Sequence, residues 1–126
     1  MDHFPIFVAL AGRRVILSGG GEAAIAKLRL LLKTTAHITV FSPKAAPEIQ
    51  AWHTAGKLCH VARQMEPGDA LCAVLAYAAD EDDTLDARTS SIARADGALV
   101  NIVDNLGDSQ FITPAIVDRD PVTIAI

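Results

Sequence analysis

Three consecutive glycines, Gly19 to Gly21, separate the apolar run at 14–18 from a row of helix formers that begins at Glu22. This arrangement constrains the chain more than any other. A buried strand that leaves through glycines and enters a helix is a βα unit, and such units assemble into parallel sheets. The spacing Gly19-x-Gly21-x-x-Ala24 also has the form of the dinucleotide-binding turn, provided that the turn links a strand to a helix.

The rest of the chain supports that context. Residues 22–33 read as a helix with Ala24, Leu28, Leu31 and Leu32 on one face, and Lys27 and Lys33 elsewhere. A second strand is expected over 37–41, broken by Ser42-Pro43, then a short helix over 47–55 ended by Gly56. Strands follow at 58–62 and 70–78, the latter apolar enough to be buried on both faces. A helix over 80–95, with acids in its first turn and Arg94 near its end, leads to a strand at 98–103. The alternation predicts an α/β fold: a Rossmann-like, doubly wound, mainly parallel sheet with helices on both faces. A last apolar run at 121–126 reads as a strand, and stopping there is the pattern of a piece of a longer protein.

Composition narrows the function classes. Apolar residues make up 51% of the 126, enough for one domain with a core and too many for disorder. Eleven basic against fifteen acidic side chains give a net charge of −4, which argues against nucleic acid as a partner. No apolar run is long enough to span a bilayer, and MDHFPIF lacks the basic start of a signal peptide. Cys59 and Cys72 have no CxxC spacing and read as buried free thiols of a reducing cytoplasm. His3, His37, His53 and His60 show no metal-ligand spacing, so no metal site is expected.

In the glycine loop, Gly19 is expected to make the tight turn and Gly21 to let a pyrophosphate approach the backbone. Ala24 is expected to keep the helix close to the sheet. The N–H groups of Glu22 and Ala23 then face the phosphates at the positive end of the helix. The acid that usually closes the second strand is missing; Phe41-Ser42-Pro43-Lys44 stands there. Ser42 is a candidate for a ribose hydroxyl and Lys44 for a 2′-phosphate, so the motif alone leaves NAD and NADP both open. Asp104 would stand at the carboxyl end of a central strand, where open α/β sheets bind ligands. From the residues alone it is as good a loop cap as a general base, and a base role needs a partly dry pocket.

Two further stretches carry a family resemblance. One is Phe4-Pro-Ile-Phe7, leading through Leu10, Gly12 and Arg13 into the glycine loop. The other is Leu99-Val-Asn-Ile-Val-Asp104, followed by Ser109-Gln-Phe-Ile-Thr-Pro-Ala-Ile-Val-Asp-Arg119 and Pro121-Val-Thr-Ile-Ala125. Together they resemble the N-terminal module of siroheme synthase, the precorrin-2 dehydrogenase and sirohydrochlorin ferrochelatase family, over the whole of 1–126. The resemblance implies NAD as cofactor, precorrin-2 oxidised to sirohydrochlorin, and in many members insertion of ferrous iron. It implies Asp104 as the catalytic aspartate of both steps, and Glu22, Ala23, Pro43 and Lys44 as nucleotide contacts. It implies a nucleotide domain over 1–113, with 114–126 opening a dimerisation and substrate region that is cut short. A homodimer is implied for the complete protein.

The chain also departs from that family. Ala26-Lys27 replaces an Arg-Lys pair, and Asp80-Glu81-Asp82-Asp83 replaces a Thr-Asp-Asp, adding negative charge near the adenosine side of the cleft. Acids in a first helical turn are usually cap and dipole residues. Asn105-Leu-Gly-Asp108 stands where proline or basic residues are common, and Arg119 is one candidate cation for a polycarboxylate substrate, the alternative being a surface pair with Asp118 or Asp120. Two other classes compete with the enzyme. A non-catalytic NAD-sensing regulatory module would use the same loop, although such modules commonly keep the acid after the second strand. An inactive truncated copy would fold without turnover.

Overall fold

The structure is a computed structural model that describes residues 1–119 and 122–125. In chain order its elements are β1 (Arg14–Ser18), α1 (Glu22–Leu31), β2 (His37–Phe41), α2 (Pro47–Thr54), β3 (Cys59–Val61) and β4 (Ala73–Ala78). Then follow α3 (Asp83–Ala95), β5 (Leu99–Ile102), β6 (Ile116–Arg119) and β7 (Val122–Ala125). The first five strands form one sheet in the order β3-β2-β1-β4-β5, and every pairing in it is parallel. The chain therefore winds outward from β1 to β3, then crosses to the other side of β1 to lay down β4 and β5. That reversal puts a switch point between β1 and β4, the place where open α/β sheets leave a crevice at their carboxyl ends.

Two apolar layers hold the helices to opposite faces. On one face Ala24, Ile25, Leu28 and Leu31 of α1 and Ile49 of α2 pack with Val15, Leu17, Val40, Leu75 and Tyr77. On the other, Ile92 and Ala93 of α3 pack with Ile16, Ala76, Ala78, Val100 and Ile102. Strand residues alternate between the layers because successive side chains point to opposite faces. Met65, fully buried, closes the α3 layer from the loop after β3.

The elements agree with the sequence reading in kind and differ at their ends. The buried face of α1 includes Ile25, and Leu32 is half-buried at the C-cap because the helix stops at Leu31, where Thr34 Oγ1 donates to the Leu31 carbonyl. β4 starts at Ala73, three residues later than expected, since Cys72 adopts a φ of +65° and turns the chain. α3 starts at Asp83, with Asp82 as N-cap accepting from the Leu85 N–H at 3.0 Å. The preceding Asp80 and Glu81 lie in the turn. β6 was not expected; it pairs with β7 as an antiparallel hairpin in a separate sheet. Of the strand expected at 121–126, Pro121 and Ile126 lie outside the described residues, as does the side chain of Arg119.

The expectation of buried thiols is corrected. Cys59 and Cys72 are both free and exposed. β3 is an edge strand only three residues long, and Cys72 sits on the outside of a turn, so neither position is covered by a helix.

Candidate nucleotide site

The glycine loop leaves β1 at the switch point and is tied to both of its neighbours. The Gly19 N–H donates to the Phe41 carbonyl of β2 at 3.0 Å, and the Ala79 N–H donates to the Ser18 carbonyl at 2.8 Å. Gly19 has a φ of +143°, and a Cβ there would lie 2.2 Å from the Ala79 carbonyl oxygen. Its place is set by close approach of the β4 strand end, as well as by the turn. Gly20 carries a constraint that the motif does not contain. A Cβ on it would lie 2.1 Å from the Lys44 carbonyl oxygen and 2.6 Å from Ser42 Oγ, and its own carbonyl accepts from the Ala46 N–H at 2.8 Å. The loop after β2 is thus clamped onto the loop after β1.

Gly21 is the N-cap of α1 and supplies no side-chain cap. The N–H groups of the first helical turn have no acceptor inside the helix. Glu22 and Ala23 therefore present donors at the positive end of α1, Glu22 with its side chain exposed and Ala23 half-buried. Ala24 is fully buried against the sheet, as expected. A helix start without a side-chain cap hydrogen bond, beside a glycine whose missing Cβ leaves space, fits a pyrophosphate, with Glu81 Oε2 standing 3.2 Å from that Cβ position.

At the end of β2, Pro43 and Lys44 are exposed, whereas Ser42 is buried. The Ser42 hydroxyl donates to the Lys44 carbonyl, so toward a ribose it is left to accept, and donating would have to replace that contact. The Ser42 carbonyl oxygen lies 2.9 Å from His60 Nε2, a contact donated by an Nε2–H tautomer. His60 in turn gives its backbone N–H to His53 Nδ1 at 3.0 Å. Sequence spacing carries no sign of His60, because its partner is a main-chain atom in the loop after another strand.

The turn after β4 forms the other wall, across the glycine loop from β2, so its acids stand beside the glycines and not on the adenosine side where they were expected. Ser18 Oγ donates to Asp80 Oδ2 at 2.8 Å, and the Asp80 N–H donates to Asp86 Oδ1 at 2.9 Å. Burial pushes the Asp80 carboxyl above its ordinary range; the Ser18 hydrogen bond opposes that and the charge of Asp82 adds to it. Asp86 is raised for the same first reason, against the hydrogen bond from the Asp80 backbone. Glu81 has a φ of +59°, and its Oε2 lies 3.2 Å from where a Gly21 Cβ would stand.

Asp104 lies beyond β5, which is an edge strand of the five-stranded sheet and not the central strand expected, because β4 alone separates it from β1 and no described strand pairs on its other side. The Asn105 N–H donates to the Ile102 carbonyl at 3.0 Å, closing a four-residue turn in which Asp104, at φ +61°, holds the third place. Glycine is the usual residue at positive φ there, so this turn presents a carboxylate where most turns present none. The side chain is exposed, so the described residues do not supply the partly dry pocket that a base role requires. A cleft of about 270 Å³ adjoins this loop between α3 and β5, lined by Asp83, Asp86, Ile102, Asn105 and Asp108. A larger hollow of about 430 Å³, beside Trp52 and Lys57, opens at the amino ends of β2 and β3, away from the glycine loop. On β5, buried Asn101 gives its Nδ2 to the Phe111 carbonyl and leaves Oδ1 without a partner among the described residues. No three His, Cys, Asp or Glu side chains converge as a metal site among the described residues, and no described helix is long and apolar enough to cross a membrane.

A parallel sheet of this order, with a glycine turn feeding a helix at its switch point, defines a Rossmann-like dinucleotide-binding domain. Residues 6–115 match the family described as putative NAD(P)-binding, and the chain belongs to it. The chain is 40% identical over its full length to siroheme synthase of Chromobacterium violaceum, and 40% identical to siroheme synthase of Pseudoalteromonas atlantica. It spans about a quarter of these relatives, 27% of each. Among solved structures it is similar to SirC, a precorrin-2 dehydrogenase. The TM-score is 0.83 at 27% identity, covering 98% of this chain and 61% of that one. The resemblance to siroheme synthases read from the sequence is thus found across the whole chain, and NAD is the cofactor that the family and the structural neighbour support.

Proposed function

We propose that this chain is the nucleotide-binding part of a precorrin-2 dehydrogenase of siroheme biosynthesis, with Asp104 as its catalytic aspartate. The observation that carries the reading is the turn after β5, which holds Asp104 at positive φ on the carboxyl edge of the sheet, two strands from the glycine loop. NAD, when bound, takes up the hydride that the tetrapyrrole loses. The chain's own work is to bind and to move a proton. Gly19, Gly21 and the N–H groups of Glu22 and Ala23 hold the pyrophosphate, and Ser42, Pro43 and Lys44 lie on the adenosine side. Asp104 accepts the proton that leaves the substrate with the hydride, so precorrin-2 gives sirohydrochlorin, NADH and one proton.

In the same reading residues 114–126 open the dimerisation and substrate region, and the complete protein is a cytoplasmic homodimer. The support is that β6 and β7 pair only with each other among the described strands, leaving Ile116 and Ile124 41% and 48% exposed. Such a region would also exclude water from Asp104. Ferrous iron is the second substrate in this reading, with Asp104 taking pyrrole protons as the metal enters.

The test is Asp104→Asn in the complete dehydrogenase, with NAD binding and precorrin-2 turnover measured separately. Binding that persists while turnover falls supports the assignment. Turnover at the wild-type rate removes Asp104 from the chemistry.

A further inference from the structure

The turn after β4 places a charge where the cofactor has to go. Glu81 Oε2 lies 3.2 Å from the position of a Gly21 Cβ, which is the space that the absent side chain leaves for a phosphate. The carboxylate therefore lies against the uncapped start of α1, where an anion is favoured. Backbone conformation sets where the side chain starts. Glu81 has a φ of +59°, a region that residues with a Cβ seldom adopt. The turn around it is fixed on both sides, by the Ser18–Asp80 and Asp80–Asp86 hydrogen bonds before it and by the Asp82 cap after it. Nothing holds the carboxylate itself. Among the described residues Glu81 makes no hydrogen bond or ion pair, and it is exposed.

We propose that the Glu81 carboxylate occupies the pyrophosphate seat over Gly21, and that the chain binds NAD by displacing it. This rests on the glycine loop being the dinucleotide seat. Glu81 is then an affinity-determining residue. Its side chain swings outward on a fixed backbone, giving up its place at the positive end of α1. Bound pyrophosphate and carboxylate remain close enough to repel. The device weakens NAD binding and acts on the pyrophosphate alone, since the adenosine end lies at β2, on the far side of the glycine loop.

The experiment is a calorimetric titration of the full chain and of Glu81→Gln with NAD, and with adenosine, which lacks the pyrophosphate. Glutamine keeps the shape and removes the charge, and the side chain is exposed, so the variant folds. At low ionic strength the variant is expected to bind NAD about threefold to tenfold more tightly, the scale of one like-charge contact in water. The gap is expected to close as ionic strength rises from about 0.01 M to about 1 M and the screening length falls from about 30 Å to about 3 Å. Adenosine is expected to bind both proteins alike. Equal NAD affinity at low ionic strength overturns the proposal and leaves the nucleotide site standing. An equal gain for adenosine also overturns it, because the effect would not be on the pyrophosphate. If neither protein binds NAD, the seat itself is misplaced and the proposal falls with it.

Discussion

Ser18 and Asp80 are joined across the carboxyl ends of β1 and β4 by a hydrogen bond of 2.8 Å, the hydroxyl donating to the carboxylate. The pair lines the wall of the crevice, and its acid is partly buried with Asp86 and Asp82 close by. Burial is the largest influence on Asp80 and raises its carboxyl above the ordinary range. The folded chain therefore holds that proton more tightly than the unfolded one does. A charged Asp80 costs stability at every pH above its raised folded value. The cost fades as pH falls through that value and is gone below the ordinary carboxylate range. Asp80→Asn keeps an acceptor for Ser18 and removes the charge. The variant is expected to melt above the wild type at pH 7, with the difference closing on acidification. Parallel thermal melts across that range check it; a gap independent of pH would mean that charge is not the cause.

Asp69 has the opposite sign. It accepts from both terminal nitrogens of Arg63, at 2.6 and 3.0 Å, and from the Glu66 N–H at 2.7 Å. The Arg63 hydrogen bond is the main reason that its carboxyl is held below the ordinary range, against a smaller effect of burial. Its stabilisation is complete above the ordinary carboxylate value and is lost as pH falls through the lowered one. Asp69→Asn is expected to lose about 1 kcal/mol at pH 7, the scale of a hydrogen-bonded surface pair. The loss shrinks in acid, and denaturant titrations at pH 7 and pH 3 read it.

Gly20 shows how a sequence motif and its structure part company. Gly19 and Gly21 are marked by the dinucleotide spacing, and Gly20 is only the residue between them. In the fold Gly20 is where two loops touch, with a Cβ placed 2.1 Å from the Lys44 main chain. Gly20→Ala is expected to cost about 1–3 kcal/mol, as overpacking does, and to weaken nucleotide binding through displacement of the loop at 42–45. The neighbouring atom is backbone, so no side chain can move aside. Chemical denaturation gives the first number and calorimetry the second; a variant as stable as the wild type would show that the two loops are not clamped.

The parallel α/β alternation, the glycine loop and the place of Asp104 just after the fifth strand follow from features local in the sequence, and so they are legible there; that this strand lies at the sheet edge depends on strand order, which is not. Apolar runs mark β1, β2, β4 and β5, and the glycines mark the βα turn. The features that escape are contacts between segments distant in sequence. Ser18–Asp80 is separated by 62 residues, and His60 reaches the Ser42 carbonyl across 18. The turn at Cys72 hides inside an apolar stretch that reads as one strand, because a positive φ at a cysteine has no composition signal. The exposure of both thiols escapes for a related reason. An edge strand three residues long looks like any other short apolar run until its neighbours are known.

Asp104 allows stability and chemistry to be separated at one residue. Its φ of +61° is tolerated by asparagine nearly as well as by aspartate, and poorly by alanine. The side chain is exposed and makes no hydrogen bond among the described residues, so a role confined to folding would be backbone conformation alone. Asp104→Asn is expected to keep stability within about 0.5 kcal/mol, whereas Asp104→Ala loses about 1 kcal/mol. A general base is different, because neither replacement can take a proton. Both variants of the complete dehydrogenase are then expected to lose at least about 100-fold in turnover while binding NAD as the wild type does. If asparagine rescues turnover as it rescues stability, Asp104 shapes the turn after β5 and some other group moves the proton.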